Sequence, residues 1–466
     1  MTRTLLKRLF GIDTAELSFW QNVFLGASLA VLAAGILVSL TDLINFEGSD
    51  FVIRYVQARC GFFGLDPYRL TDGWWLNGIS EDLHTRYFKG VPRLTNGGCF
   101  SPCLLLFYMP LGLLECATAR YASGILEWLA FLVSLMLLAR TVKDGQHRAI
   151  AVALILFFFS ASAFWRLHVE RGQYYIFTVA LIAASFYHLL CTKRDFVAGL
   201  FLGVAIAMRP TMIFIALPFA LCFRWRLLAG ICVSGLVTGL LALWVFGWQG
   251  FESFVWISRK YQLFAVDHAV IAEWAKDTPP PQAFEISGKN VMAALPSINT
   301  TFAGLIRVFR PAFDALPISV NQSLALGKAA VLALATALTL LVAPCPFRRR
   351  PDTCRLADAD RLFCLTGVAA VNIVEYALPI RAAYADVFYM LAIMLALPFV
   401  IRHACTWIGV VLLVSLAAQQ NLLGLVNGWY AIPIRVFGLT VFTLAAIYRW
   451  RFREGRTAPP EDVPPE

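Results

Sequence analysis

Apolar blocks recur along this chain from residue 20 to residue 448, each too long and too poor in charge for a helix with one face in water. Inside a bilayer there is no water to hydrogen-bond the backbone, so such blocks must be helices or a closed barrel. Barrel strands alternate apolar and polar residues, and these blocks do not. Of the 466 residues, 59% are hydrophobic and 15% charged, against about 25% charged in an ordinary globular chain. The expected fold class is therefore an all-α, polytopic membrane protein, and a soluble enzyme is excluded.

The segment Met1–Phe10 is basic, and the apolar stretch after it, Phe24–Leu40, is long enough to span. No small-residue cleavage pattern closes it, so it reads as a retained first helix rather than a removed signal peptide. Short loops rich in Lys and Arg stay in the cytoplasm. Here they are Arg3/Lys7/Arg8, Arg140/Lys143/Arg148, Lys193/Arg194, Arg224/Arg226, Arg348/Arg349/Arg350/Arg355 and Arg449/Arg451/Arg453/Arg456. Two long segments, about 42–99 and 247–322, mix both signs with Trp, Tyr, Asp and Pro, and are expected outside. Spans between these markers fall at about 20–40, 122–139, 149–165, 174–191, 196–208, 211–223, 227–246, 323–343, 362–379, 386–401, 404–418 and 431–448. That makes about twelve, with both termini in the cytoplasm. Counting Phe100–Leu114 as a further span would put the Arg140–Arg148 loop outside, so it is expected to be re-entrant or surface-lying. Residues 1–449 then form one membrane domain and 450–466 a disordered cytoplasmic tail.

The arms 196–208 and 211–223 are each shorter than the roughly 20 residues a span needs, and they meet at Met208-Arg209-Pro210-Thr211. Their turn is expected below the outer surface, where an arginine is costly unless it faces water or a fixed anion.

Chemistry-bearing residues gather in two places. After the first span the chain reads Asp42-Leu-Ile-Asn-Phe-Glu47-Gly-Ser-Asp50-Phe-Val-Ile-Arg54-Tyr55, then Gly64-Leu-Asp66-Pro67-Tyr68. A carboxylate at the membrane surface can activate a hydroxyl as general base. Asp50 and Arg54 stand one helical turn apart, a spacing that permits an ion pair; an ordinary solvated loop with a surface pair is the bland alternative. The second cluster is Arg166-Leu-His168-Val-Glu170-Arg171-Gly172-Gln173-Tyr174-Tyr175. It reads either as the lining of a polar site or as interfacial anchoring by Tyr and Arg. His168 fits a hydrogen-bonding role better than a metal-ligating one, because no His, Asp or Glu partner stands at ligand spacing. Glu127, Glu375 and Asp386, the carboxylates in or beside spans, form no obvious relay. Eleven cysteines lack metal spacing; Cys60 and Cys99, in the polar segment, are the pair for which a disulfide is open. There is no phosphate-binding glycine loop, zinc signature or nucleophile elbow, and the net charge of +10 reflects membrane anchoring rather than nucleic-acid binding. Trp74, Trp75, Tyr68 and Trp256 can stack on sugar rings or anchor the interface.

Five segments in this order resemble glycosyltransferase family 87, the bacterial polyprenyl-phosphate-sugar-dependent mannosyltransferases of the GT-C fold. They are Asp50–Ala58 with Gly64–Tyr68, Phe100–Pro110, Gly172-Gln173, Gly199–Pro210 and Asn299–Arg307. The resemblance implies a GT-C-type fold whose active site faces the outside of the bacterial cytoplasmic membrane. It also implies a sugar donor, mannose by analogy, on a polyprenyl phosphate, a glycolipid or glycan acceptor, and no cofactor or metal. By the same resemblance Asp50 matches the catalytic base. Arg209, standing where the family has Lys, and Arg171 would meet the donor phosphate. Arg54, Tyr68, His168, Gln173, Asn299 and Tyr384 are candidate substrate contacts. The chain departs from the family at Phe100-Ser101-Pro102 and at Leu378–Asp386, which leaves the sugar open. A transporter or flippase of lipids or lipid-linked sugars is the rival expectation.

Overall fold

The structure, a computed structural model, describes residues 2–45, 48–69, 81–92, 98–264, 320–342, 356–378, 383–419 and 431–452. Among the described residues there is no strand. The helices are α1 (Thr2–Phe10), α2 (Phe19–Asn45), α3 (Ser49–Phe63), α4 (Glu81–Tyr87), α5 (Pro102–Gly112), α6 (Cys116–Thr141), α7 (Gly145–Phe159), α8 (Ala163–Arg171) and α9 (Tyr175–Tyr187). There follow α10 (Asp195–Met208), α11 (Ile213–Leu221), α12 (Trp225–Phe264), α13 (Val320–Val342), α14 (Leu356–Val374), α15 (Tyr389–Arg402), α16 (Thr406–Gln419) and α17 (Ala431–Phe452). Helix occupies most of each expected span, although 149–165 is interrupted at residues 160–162. Among the described residues six helices are long and apolar enough to cross a membrane, or seven when α7 and α8, bent by 64°, count as one. The chain is thus a multi-pass membrane protein.

Two segments differ from the sequence expectation. The stretch 42–99 is not simply loop, since α3 occupies its middle and is buried almost all round from Phe51 to Ala58. Its fifteen residues pack on α5 and α12 in a core of their own with Tyr68, Phe88, Leu104, Leu105 and Tyr108. Likewise α12 continues past the expected end of its span to Phe264, through a break at Gly247 (φ 65). The α5 helix has eleven residues, about 16 Å at 1.5 Å per residue, half of a hydrocarbon core.

Burial separates inside from lipid. From Tyr389 to Val400 every residue of α15 is buried, as befits an all-round apolar helix at a bundle centre. The α12 helix instead exposes Leu236, Val237, Leu240, Leu241 and Trp244. Lipid tails are as apolar as leucine, so helix association relies on close approach. Gly199 and Gly203 of α10 supply it: a Cβ at either would strike backbone of α12 at Leu227 or Ile231.

Among the described residues, the basic segments around Arg8, Arg140–Arg148, Lys193 and Arg224 collect at one end of the bundle. Arg148 donates to the Gly11 carbonyl at 2.7 Å and Gln146 to the Glu16 carbonyl at 3.1 Å. Lys193 reaches Asp360 at 3.1 Å, and Arg224 binds both Asp360 and Asp195. The candidate residues meet at the opposite end.

Candidate active site

The site forms where the N-terminus of α3 meets the turn between α8 and α9. Gly48 starts α3 at φ 72 and Gly172 ends α8 at φ 67, both in the left-handed region that favours glycine. A Cβ at Gly172 would stand 2.6 Å from the Phe51 Cβ and 3.2 Å from an Arg120 nitrogen. The close approach brings the 171–173 turn directly over the first turn of α3.

Asp50 lies in that first turn, where the helix dipole favours a carboxylate. Its side chain is 19% exposed; Arg171, 38% exposed, places Nη1 at 3.6 Å from Oδ2. Gln173 donates from Nε2 to the same Oδ2. The expected Asp50–Arg54 pair does not form directly. Instead Arg54, fully buried, donates from Nη2 to the Gly172 carbonyl and from Nη1 to Gln173 Oε1 at 3.4 Å. The guanidinium lies over Phe100 at 4.7 Å, Tyr108 at 5.3 Å and Tyr174 at 5.5 Å. Such a cage stabilises a desolvated cation.

The same turn is tied to three other helices. Arg120 of α6 donates to the carbonyls of Val169 (2.5 Å) and Glu170 (2.9 Å), cations being favoured at the C-terminus of α8. Arg166 holds Asp42 of α2 through Nε at 2.8 Å and Nη2 at 3.0 Å. His168 is wholly enclosed, with Nδ1 3.1 Å from Glu127 Oε2 and Nε2 accepting the Ile176 N–H at 3.3 Å. The backbone amide fixes Nε2 as acceptor, so Nδ1 carries the proton toward Glu127. This histidine braces α6, α8 and the start of α9, and its burial closes it to substrate. The second cluster is thus neither purely lining nor anchoring: half of it is a structural clasp.

Arg209 was expected to face water or a fixed anion. Of the two alternatives the fixed anion is realised. Its side chain is 8% exposed, and Nε (2.8 Å) and Nη2 (2.6 Å) both reach Oε1 of fully buried Glu375. Nη1 donates to the Tyr174 hydroxyl at 2.9 Å, and the guanidinium lies over the Tyr175 ring at 4.5 Å. Two of the carboxylates that looked isolated in sequence, Glu127 and Glu375, therefore hold basic partners. Pro210 has no N–H and interrupts the helix. Ser101 compensates at this break, donating to the carbonyls of Ala207 (3.2 Å) and Met208 (3.1 Å) while capping α5 at Leu104.

Tyr68 is buried and gives its hydroxyl to the Phe100 carbonyl; burial holds the phenol well above its ordinary range, so it remains a donor. Gln57 secures the same region by donating to the carbonyls of Pro67 (3.0 Å) and Gly98 (2.8 Å). Tyr68 is thus a tie between segments rather than a surface for sugar. Cys60 and Cys99 do not pair: both are free thiols, Cys60 bonded to the Val56 carbonyl and Cys99 beside Ser258 Oγ. Trp256 carries Arg69 over its ring at 5.7 Å. Asn299, Trp74, Trp75, the Asn299–Arg307 segment and the tail from 453 lie outside the described residues, as does the side chain of Tyr384. Among the described residues no three His, Cys, Asp or Glu side chains form a metal-holding group.

An apolar groove of about 320 Å³ runs between α5, α10 and α12, lined by Pro102, Ile206, Ala207, Ile231, Gly235 and Phe254 among others. Its polar end is Ser101 beside Pro210, the immediate neighbours of Phe100 and Arg209.

Sequence reasoning missed Arg120, and it noted Glu375 without a partner and Tyr174 only as a member of the 166–175 cluster. Glu375 stands 166 residues from Arg209, and no local pattern marks it.

The model of glycosyltransferase family 87 matches residues 99–274. That stretch contains α5, the Gly172-Gln173 turn and the Arg209-Pro210 break, while Asp50 precedes it. No curated protein and no solved structure matches the chain.

Proposed function

We propose that this chain is a membrane glycosyltransferase that moves a sugar, mannose by family analogy, from a polyprenyl-phosphate donor to a lipid or glycan acceptor on the outer face of the bacterial cytoplasmic membrane; the match of residues 99–274 to the family 87 model and the multi-pass membrane character support this. The observation that carries this reading is the partly exposed Asp50 carboxylate with Arg171 3.6 Å away. A base and a cation stand side by side at one end of a membrane bundle. Asp50 takes the proton of the acceptor hydroxyl, and the hydroxyl oxygen bonds to the anomeric carbon. The bond from that carbon to the phosphate oxygen breaks, and its electron pair leaves with the polyprenyl phosphate. A fixed cation stabilises that charge as it develops. Arg171 leads in this role; Arg209 follows, since a phosphate reaches its fork only by replacing Glu375. The apolar groove beside Ser101 and Pro210 supports a donor that carries a long hydrocarbon tail.

A transporter would need ionisable residues aligned along a path. Glu127–His168, Glu375–Arg209 and Asp42–Arg166 are instead local closed pairs, which favours the enzyme.

The test is sugar transfer from radiolabelled polyprenyl-phosphate mannose to a membrane lipid extract, by the purified parent and by Asp50→Asn. General-base loss lowers turnover roughly 10²–10⁴-fold. Equal transfer by an equally folded variant would remove Asp50 from the mechanism. Failure of the parent with every lipid-linked sugar would move the reading to transport.

A further inference from the structure

Gln173 sits between two groups with opposite demands. Arg54 has only donors and must face the amide oxygen; the Asp50 carboxylate has only acceptors and must face the amide nitrogen. The amide orientation is thereby dictated, and it is the one observed, with Oε1 toward Arg54 and Nε2 on Asp50 Oδ2. Gln173 is 2% exposed and Arg54 fully buried, so neither offers a face to substrate. Both contacts to the carboxylate fall on Oδ2, and Oδ1 accepts no hydrogen bond from the described residues.

We propose that Gln173, oriented by Arg54, is a positioning residue that locks the Asp50 carboxylate by Oδ2 and presents Oδ1 to the acceptor hydroxyl. The proposal rests on Asp50 being the base. A neutral amide suits this task because it fixes the rotamer without neutralising the carboxylate, while the Arg54 charge is kept one group away. The charged groups around Asp50 are Arg171 from α8, Arg54 on its own helix and Arg120 from α6, whose guanidinium lies under Gly48 and Gly172. Glu170, in the last turn of α8, has its carbonyl held by Arg120.

The test uses the full-length protein in detergent, the radiolabelled mannose donor and two variants. Gln173→Glu is isosteric and sets a second carboxylate against Asp50 Oδ2. Two carboxylates in contact share a proton, so the Asp50 carboxylate deprotonates only at higher pH. The acidic limb of kcat/KM should therefore move up by about one pH unit or more, with activity recovering at alkaline pH. Gln173→Met removes the tether without adding charge. Its kcat should fall by roughly 10²-fold, the effect of a small misplacement of a reacting group, with acceptor KM within about twofold and the limb unmoved. If Gln173→Glu does not accumulate as a folded protein, Gln173→Met alone carries the test through its kcat-against-KM split. An unmoved limb in Gln173→Glu overturns the proposal, as does a rise in acceptor KM in Gln173→Met that matches the loss in kcat. If Asp50→Asn is inactive while both Gln173 variants behave as the parent, only this inference fails. If Asp50→Asn is fully active, the reading beneath it fails.

Discussion

Replacing Glu375 by Gln removes one negative charge and leaves Arg209 in place, with its side chain 8% exposed and its partner site fully enclosed. At 2.8 Å and an effective dielectric of about 20, the pair attracts by roughly 6 kcal/mol. Much of that is offset by the desolvation of both ions. What the variant loses is compensation of a buried cation, which costs about 3–5 kcal/mol. The glutamine keeps the shape and one acceptor, so the lower end, about 3 kcal/mol, is expected. Arg209→Met should cost a similar amount by orphaning Glu375 and the Tyr174 hydroxyl. The double variant Arg209→Met with Glu375→Leu buries no charge. It forfeits the Tyr174 hydrogen bond and the stacking on Tyr175, about 1–2 kcal/mol together. The single losses should therefore sum to far more than the double. The assay is equilibrium unfolding of the four proteins in mixed micelles titrated with denaturing detergent, followed by tryptophan fluorescence. Losses that simply add, or a Glu375→Gln protein within about 1 kcal/mol of the parent, would refute a buried, mutually dependent pair. The double variant also informs the mechanism. Preserved transfer makes Arg209 a structural ion, whereas transfer lost from a stable protein assigns it to the donor.

Gly172→Ala forces a side chain into the left-handed region and sets its Cβ 2.6 Å from that of Phe51, so a loss of about 2–4 kcal/mol and a fall in turnover should appear together in unfolding and transfer assays. Ser101→Ala removes the cap of α5 and the hydroxyl that serves the carbonyls before Pro210; about 1–2 kcal/mol of stability should go, read by the same titration. At Gly235 a Cβ meets nothing within 4 Å, and the residue lines the groove. Gly235→Leu should raise KM roughly tenfold or more for a long-chain prenyl donor while leaving a short-chain donor unaffected. An equal effect on both donors would take the tail out of the groove.

The membrane character and most of the helical segments were legible from residue order, because a bilayer imposes its requirement on each segment separately. A run such as Tyr389–Arg402 has to be helical in lipid whatever surrounds it. The break at Arg209-Pro210 was legible for the same reason, since proline acts on its own turn. So were Asp50 and the 166–175 cluster as places where polar groups gather at an apolar boundary. The helical state of Ser49–Phe63 was less so, as its apolar residues face several partners at once and give no clean stripe.

What the tertiary structure decided is which of those polar groups meet. Asp50 and Arg54 have the spacing of a helical ion pair, yet Gln173, 119 residues from Arg54, stands between them because Gly172 lets α8 turn directly onto α3. Arg209 has the signature of a cation facing a cavity, yet Glu375 fills its fork. His168 has the look of a site residue, yet Glu127 and the Ile176 amide enclose it. Sequence determines where a charge enters the membrane, since the cost of burying it is local. Which partner compensates that charge is a matter of distance in space, and only the packed helices fix it.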